Sequence, residues 1–242
     1  MAPLELIYPI VLLASVIQSL FGVGVLLLGT PWMLLLGMTF SATLQLLLPI
    51  SLTISLLQIS RCYQHVDRVI LRGILVFTMP AIGVALWAST NWSPPLEIFV
   101  AILVLTFSLQ DRVRFIRYRL NQLLRFQRTY LAMMGFVHGA SNLGGSMLTA
   151  LAFGKGLDRD ISRATIVAGY ALFAIVQLTT LRLAGTNWQI DLGTEAGLIV
   201  AGATTFWLTE RFIFSRFDSK RYRIGLEILL LITGLLLLLS AF

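Results

Sequence analysis

Charge is scarce in this chain. Acidic and basic residues make up 12% of its 242 residues, about half the share of a soluble domain. Cysteine is scarcer still. The single Cys62 excludes an internal disulfide, and Cys62-x-x-His65 offers too few ligands for a metal centre. No HExxH and no pair of aspartates lies inside the apolar runs, which removes the commonest metal and acid-base signatures. Gly139-Ala140-Ser141-Asn142-Leu143 lacks the last glycine of a nucleophile elbow. Gly154-Lys155-Gly156 lacks both the upstream glycine and the following Ser or Thr of a phosphate loop. The expectation is a protein that is not an enzyme, with no catalytic residue, no metal site and no cofactor. The opening MAPLEL has no basic run and does not resemble a secretory signal. No linker or low-complexity segment breaks the chain, so residues 1–242 read as one membrane domain.

Apolar residues fill the space that charge leaves. They make up 57% of the chain, above the 45–50% or so of soluble proteins, and mean hydropathy is +0.87. Apolar segments recur at 4–36, 39–60, 69–88, 95–110, 129–153, 164–184, 192–210 and 224–242. Most are long enough to cross a bilayer. The chain is therefore an integral membrane protein, and the lipid bilayer is its first partner.

The net charge is +7, but its distribution argues against nucleic acid. Seventeen of the 18 Lys and Arg fall in 61–72, 112–128, 155–163 and 211–223, between apolar segments. Basic loops gather on the cytoplasmic side. Eight straight crossings would put two of these segments on each side. If 129–153 instead enters the membrane and returns, all four face the cytoplasm. Glu5, Glu97, Asp191 and Glu195 then face outward, with Arg182 near them. This places the protein in the cell (plasma or inner) membrane with cytoplasmic basic loops.

The stretch HGASNLGGSML, His138 to Leu148, holds the reversal. Asn142-Leu143-Gly144-Gly145 allows a sharp bend, because glycine tolerates backbone angles that other residues avoid. Arms 129–141 and 145–154 are each about half a bilayer long. Irregular backbone at that depth must line a cavity or be buried in protein. Gln18-Ser19-Leu20-Phe21-Gly22-Val23-Gly24 aligns with His138-Gly139-Ala140-Ser141-Asn142-Leu143-Gly144 at an offset of 120, and Ser41-Ala42-Thr43 with Arg163-Ala164-Thr165 at 122. Two repeats result, about 1–120 and 121–242. Each holds one re-entrant helical hairpin and three transmembrane helices, and an odd number of crossings inverts the second against the first. The expected fold is an all-α inverted repeat with a site where the halves meet.

A helix that starts at a bend presents unpaired N–H groups and a positive dipole end, a ready site for an anion. Two such starts, at Gly24 and at Gly145-Ser146, are expected to converge near the midplane. Gln18, Ser19, His138, Ser141 and Asn142 could add donors. No acid lies near either tip, which disfavours a cation path, and Arg163 could draw an anion from the cytoplasm. Gln45, Ser51, Ser55, Tyr170 and Gln177 are second-rank candidates for lining the path. Packing competes with function at Gly135-x-x-x-Gly139, and back-bonding to the helix competes at Ser19 and Ser141.

On FGVG and HGASNLGG the chain resembles the TauE/SafE sulfite exporter family, along its whole length including the basic central loop. The family's glycine-rich motif positions correspond to Gly22, Gly24, Gly139, Gly144 and Gly145, with Val23 and Val25 where family members often carry more glycine. The resemblance implies export of a small sulfur-containing anion, sulfite or an organosulfonate. The expected function is a secondary transporter, with an anion channel of the same architecture or a non-transporting membrane subunit as alternatives. The state of association is open, a homodimer being one expectation.

Overall fold

The computed structural model describes residues 3–91, 126–155, 157–188 and 190–212, with single positions at 102, 105, 122, 231 and 235. The expected crossings 95–110 and 224–242 lie outside the described residues, as does most of the basic central loop. Among the described residues every element is helical: α1 (Leu4–Phe21), α2 (Val25–Leu35), α3 (Phe40–Cys62), α4 (Arg68–Gly73), α5 (Met79–Asn91), α6 (Gln127–Ser141), α7 (Gly144–Gly154), α8 (Arg159–Leu183) and α9 (Leu192–Phe212). A single 3₁₀ turn, Tyr63–His65, follows α3, and a π-helical segment, Ile74–Thr78, joins α4 to α5.

Local chemistry explains the boundaries. Thr39 caps α3 by accepting from the Ala42 N–H, and Asp67 caps α4 by accepting from Val69 and Ile70. Pro80 has no N–H to give the ladder, and just before it the Met79 N–H reaches back five residues to Ile74 O. That is the π-type slip expected where an α-ladder loses a donor.

Two helices break inside apolar sequence. α1 stops at Gly22, whose φ is 76° and whose N–H bonds Gln18 O at 2.7 Å. α6 stops at Asn142, whose φ is 65° and whose N–H bonds His138 O at 2.7 Å. Both residues are left-handed caps of the same kind, 120 positions apart. The second bend differs from expectation in one respect. Asn142 takes the left-handed angle, while Gly144 and Gly145 already belong to α7. Asparagine is the side chain that best tolerates that region. The stretch 129–153 is thus two helices, not one rod. The first pair is less even: α1 has 18 residues and rises about 27 Å, more than the half-bilayer arm expected within 4–36, whereas α2 has 11.

The helices pack in matched sets. α1 lies on α9, and α6 lies on α5. α2 packs on α3 and α7 on α8; α3 touches α9 and α8 touches α5. At the centre α3 lies along α8, and polar ties at both ends set their direction. Gln45, near the start of α3, donates to Asn187 O beyond the end of α8. Thr165, near the start of α8, accepts from Asp67 N beyond the end of α3. The two helices are therefore antiparallel.

Four stretches, Leu4–Phe21, Phe40–His65, Arg68–Thr90 and Asp160–Leu183, are long and apolar enough to cross a membrane. Leu13, Val76, Val84, Phe136, Ile175 and Val200 stand exposed on the outer faces. So much outward apolar surface suits hydrocarbon rather than water.

Candidate functional site

The site is built from the two breaks and the helices that cover them. At the first, Gln18 is fully buried and its amide is fully used. Its Oε1 accepts from the Val25 N–H, the first amide of α2, and from Ser51 Oγ, both at 3.1 Å. Its Nε2 donates to Ser51 O at 2.9 Å and Ser55 Oγ at 3.1 Å. Gln58 donates to Gln18 O and Ser19 O. Arg163 Nη2 donates to Ser19 O and pairs with Glu210, both at 2.7 Å. Ser19 Oγ turns back to Ser15 O of its own helix. Gly22 and Gly24 permit contact: a Cβ on Gly24 would strike the α1 backbone at Ala14 and Gln18, and one on Gly22 would strike Val167 of α8.

At the second break the balance is different. His138 Nε2 lies 3.1 Å from Gln177 Oε1, and its ring is wedged against Phe173 and Tyr170. Asn142 Nδ2 donates to Thr30 Oγ1 at 2.8 Å, which ties this tip to α2. Ser141 Oγ donates to Val137 O and accepts weakly from Leu143 N; Ser146 Oγ donates to Leu143 O. Gly144 sits against the His138 side chain, and the Tyr170 hydroxyl occupies the space a Gly145 Cβ would need, at the first turn of α7. Gly139 faces Ile82 O and Ala85 of α5, as Gly135 faces Thr78 O and Ala81. These two glycines form a packing seam, not a lining.

A residue of unsatisfied chemistry remains here. His138 Nδ1, Asn142 Oδ1, Tyr170 Oη and Gln177 Nε2 are buried and have no hydrogen-bond partner among the described residues. All four side chains are 0% exposed. Such atoms cost about 1–3 kcal/mol each when nothing answers them, so four of them on His138, its neighbours Gln177 and Tyr170, and Asn142 one turn along call for an explanation.

The structure thus gathers His138, Asn142, Gly144, Gly145 and Ser146 with Tyr170 and Gln177. It gathers Gln18, Ser19, Gly22 and Gly24 with Gln58 and Arg163 as a second group, in which the Gln18 amide is fully bonded while Gln58 Oε1 and the nearby Ser15 Oγ are buried with no partner among the described residues. Arg163 does not stand open toward a cytoplasmic anion: its guanidinium is held by Glu210 and Ser19. Sequence reasoning passed over Thr30, Gln58 and Glu210. Glu210 carried a signal, an acid at the end of an apolar run that needs a basic partner. Thr30 and Gln58 carried none, since a lone Thr or Gln in a membrane helix is common.

Interrupted helices, buried polar groups at the interruptions and outward apolar faces define a multi-pass helical membrane protein with an internal polar site. The family model described as Sulfite exporter TauE/SafE matches residues 7–237. The chain belongs to that family of membrane transporters. No curated protein and no solved structure matches it.

Proposed function

We propose that this protein is a secondary carrier for a small anion, sulfite or an organosulfur anion, resident in the cell membrane with its basic loops in the cytoplasm. The observation that carries this reading is the second break. There a helix begins beside a buried Tyr170 hydroxyl that has no partner among the described residues. A helix start and neutral donors bind an anion without a fixed counter-charge.

A symmetry in the packing supports a reading of the chain as an inverted repeat. Exchanging α1, α2, α3 and α5 for α6, α7, α8 and α9 leaves the set of packed pairs named above unchanged. The equivalent helices α3 and α8 run antiparallel, as two halves inserted in opposite senses require. Such halves rock about a fixed site in alternating access. His138, Asn142, Tyr170 and Gln177 are sealed from every side, which favours an occluding carrier over an open pore.

Sulfite flux into proteoliposomes tests the reading. Flux should saturate with concentration and respond to an imposed ion or proton gradient. His138→Leu and Tyr170→Phe should each lower it at least about tenfold, the loss of one hydrogen bond to a charged ligand. Wild-type flux in both variants would remove the site.

A further inference from the structure

The two breaks are alike in backbone and unlike in occupancy. At the first, the chain supplies its own acceptor: Gln18 Oε1 takes the first amide of α2 and a serine hydroxyl besides. A carbonyl oxygen already sits where a ligand oxygen would bind. The residue at the matching position of the second repeat is His138, and it turns away to Gln177. At that start of α7, Gly144 packs on His138 and Met134 O, the Ser146 N–H bonds Leu143 O, and the unpartnered Tyr170 hydroxyl lies over Gly145. Of the two expected anion sites, the second is the one with an unpartnered hydroxyl at the helix start.

The unpartnered atoms at that site are of two kinds. Gln177 Oε1 can only accept, so the His138–Gln177 bond requires a proton on His138 Nε2. The neutral ring then presents a lone pair at Nδ1, which is unpartnered. Asn142 Oδ1 is a second unpartnered acceptor, its Nδ2 being spent on Thr30. Tyr170 Oη–H and Gln177 Nε2–H are unpartnered donors. Together these atoms call for a guest that both accepts and donates. A fully ionised oxyanion has only lone pairs and would face Nδ1 and Oδ1 with nothing to give.

Fixed charge points the same way. Among the described residues of α5, α6, α7 and α8, the titratable side chains at the tip are His138 and Tyr170. Tyr130, on α6, spends its hydroxyl on Met147 O. Arg163, about two turns down α8 from Tyr170, is held by Glu210 and Ser19. Neutral dipoles stabilise one buried negative charge far better than two.

We infer that the second break binds its oxyanion in the singly protonated form, as hydrogen sulfite rather than sulfite dianion. The ligand's proton goes to His138 Nδ1 or Asn142 Oδ1, and its oxygens accept from Tyr170, Gln177 and the first amides of α7. The inference rests on the carrier reading and specifies its substrate. A proton then crosses with each anion as part of the ligand, and no carboxylate has to carry it.

Ligand-induced thermal stabilisation of the purified chain in detergent separates the cases, because stabilisation reports affinity. The probes are sulfite, whose second ionisation falls near neutrality, and methanesulfonate, which has no second proton. From one pH unit below that ionisation to two above, the half-saturating total sulfite should rise about tenfold for each unit beyond it, since only the protonated fraction binds. Methanesulfonate should bind more weakly and with no pH dependence. Tyr170→Phe should weaken both at least about tenfold. Parallel pH dependence of the two probes would mean that a protein group titrates, and a sulfite affinity that grows with pH would mean that the dianion binds; either overturns the inference while leaving a carrier. Unaltered affinity for both probes in Tyr170→Phe overturns the placement. Stabilisation by neither probe at any pH removes the carrier reading itself.

Discussion

At the scale of single residues, Asn142 carries three jobs at once. It turns the backbone left-handed, it bonds Thr30 of α2, and it leaves Oδ1 without a partner among the described residues. The jobs separate by substitution. Asn142→Gly keeps the φ of 65° at no steric cost and loses only the side-chain bond, about 1 kcal/mol. Asn142→Ala loses the same bond and adds about 1–2 kcal/mol of left-handed strain. Melting in detergent should therefore rank wild type above Gly above Ala; a glycine variant less stable than the alanine one would mean that the angle is not what Asn142 supplies. Gln18 and His138 make the complementary point. Each lies four residues before a left-handed cap, 120 positions apart, and from sequence both read as donors near a tip. Only the folded structure distinguishes an amide consumed by four internal bonds from an imidazole whose Nδ1 has no partner among the described residues.

At the scale of elements, the closest packing falls where a break or a helix pair needs it. The Gly135 and Gly139 seam brings α6 onto the carbonyls of Thr78 and Ile82, and the π-helical slip ahead of Pro80 lies at the same contact. The second elemental device is the tie among α8, α9 and α1. The Arg163–Glu210 pair is largely buried, at 16% and 17% exposure, and it also grips the carbonyl of Ser19 one turn before the first break. Removing one member of a buried pair leaves the other unanswered, a loss of about 3–5 kcal/mol at full burial. With some surface still open, Glu210→Gln should fall at the lower end of that range by chemical or thermal unfolding in detergent. A variant as stable as wild type would show that Ser19 alone suffices to hold the guanidinium. The element pattern was partly legible in sequence. The break near 142 followed from charge balance and arm length, because an eight-crossing chain leaves basic loops on both sides. The 18-residue first arm was not, because nothing in 4–36 marks which glycine ends the helix until Gly22 is seen to take the left-handed angle.

At the scale of the whole molecule, the proposed inversion makes a prediction about sidedness. The turn at His65 and the loop at Thr186 lie at opposite ends of the antiparallel α3 and α8 pair. In a Cys62→Ser background, a cysteine at position 65 should react with an impermeant maleimide only from the cytoplasm, and one at position 186 only from outside. Labelling of both from the same face would contradict an inverted repeat. The packing of α1 on α9 and of α6 on α5 ties the helices that end at the breaks to distant parts of the chain or to the preceding helix.

Sequence by itself determined the medium, the family and the polar, glycine-rich stretches within which helices break, though not the residue at which the first one ends. Hydropathy, the spread of basic residues and the spacing of polar, glycine-rich stretches are local or additive properties, and they survive without any knowledge of contacts. Tertiary structure decided which polar groups are spent and which remain. Gln18, Ser19 and Arg163 are consumed by partners 33 to 144 residues away or by their own helix. His138, Asn142, Tyr170 and Gln177 keep atoms in reserve. Whether a buried donor has a partner depends on ångström-scale packing between distant segments, and no pattern along the chain encodes that distance.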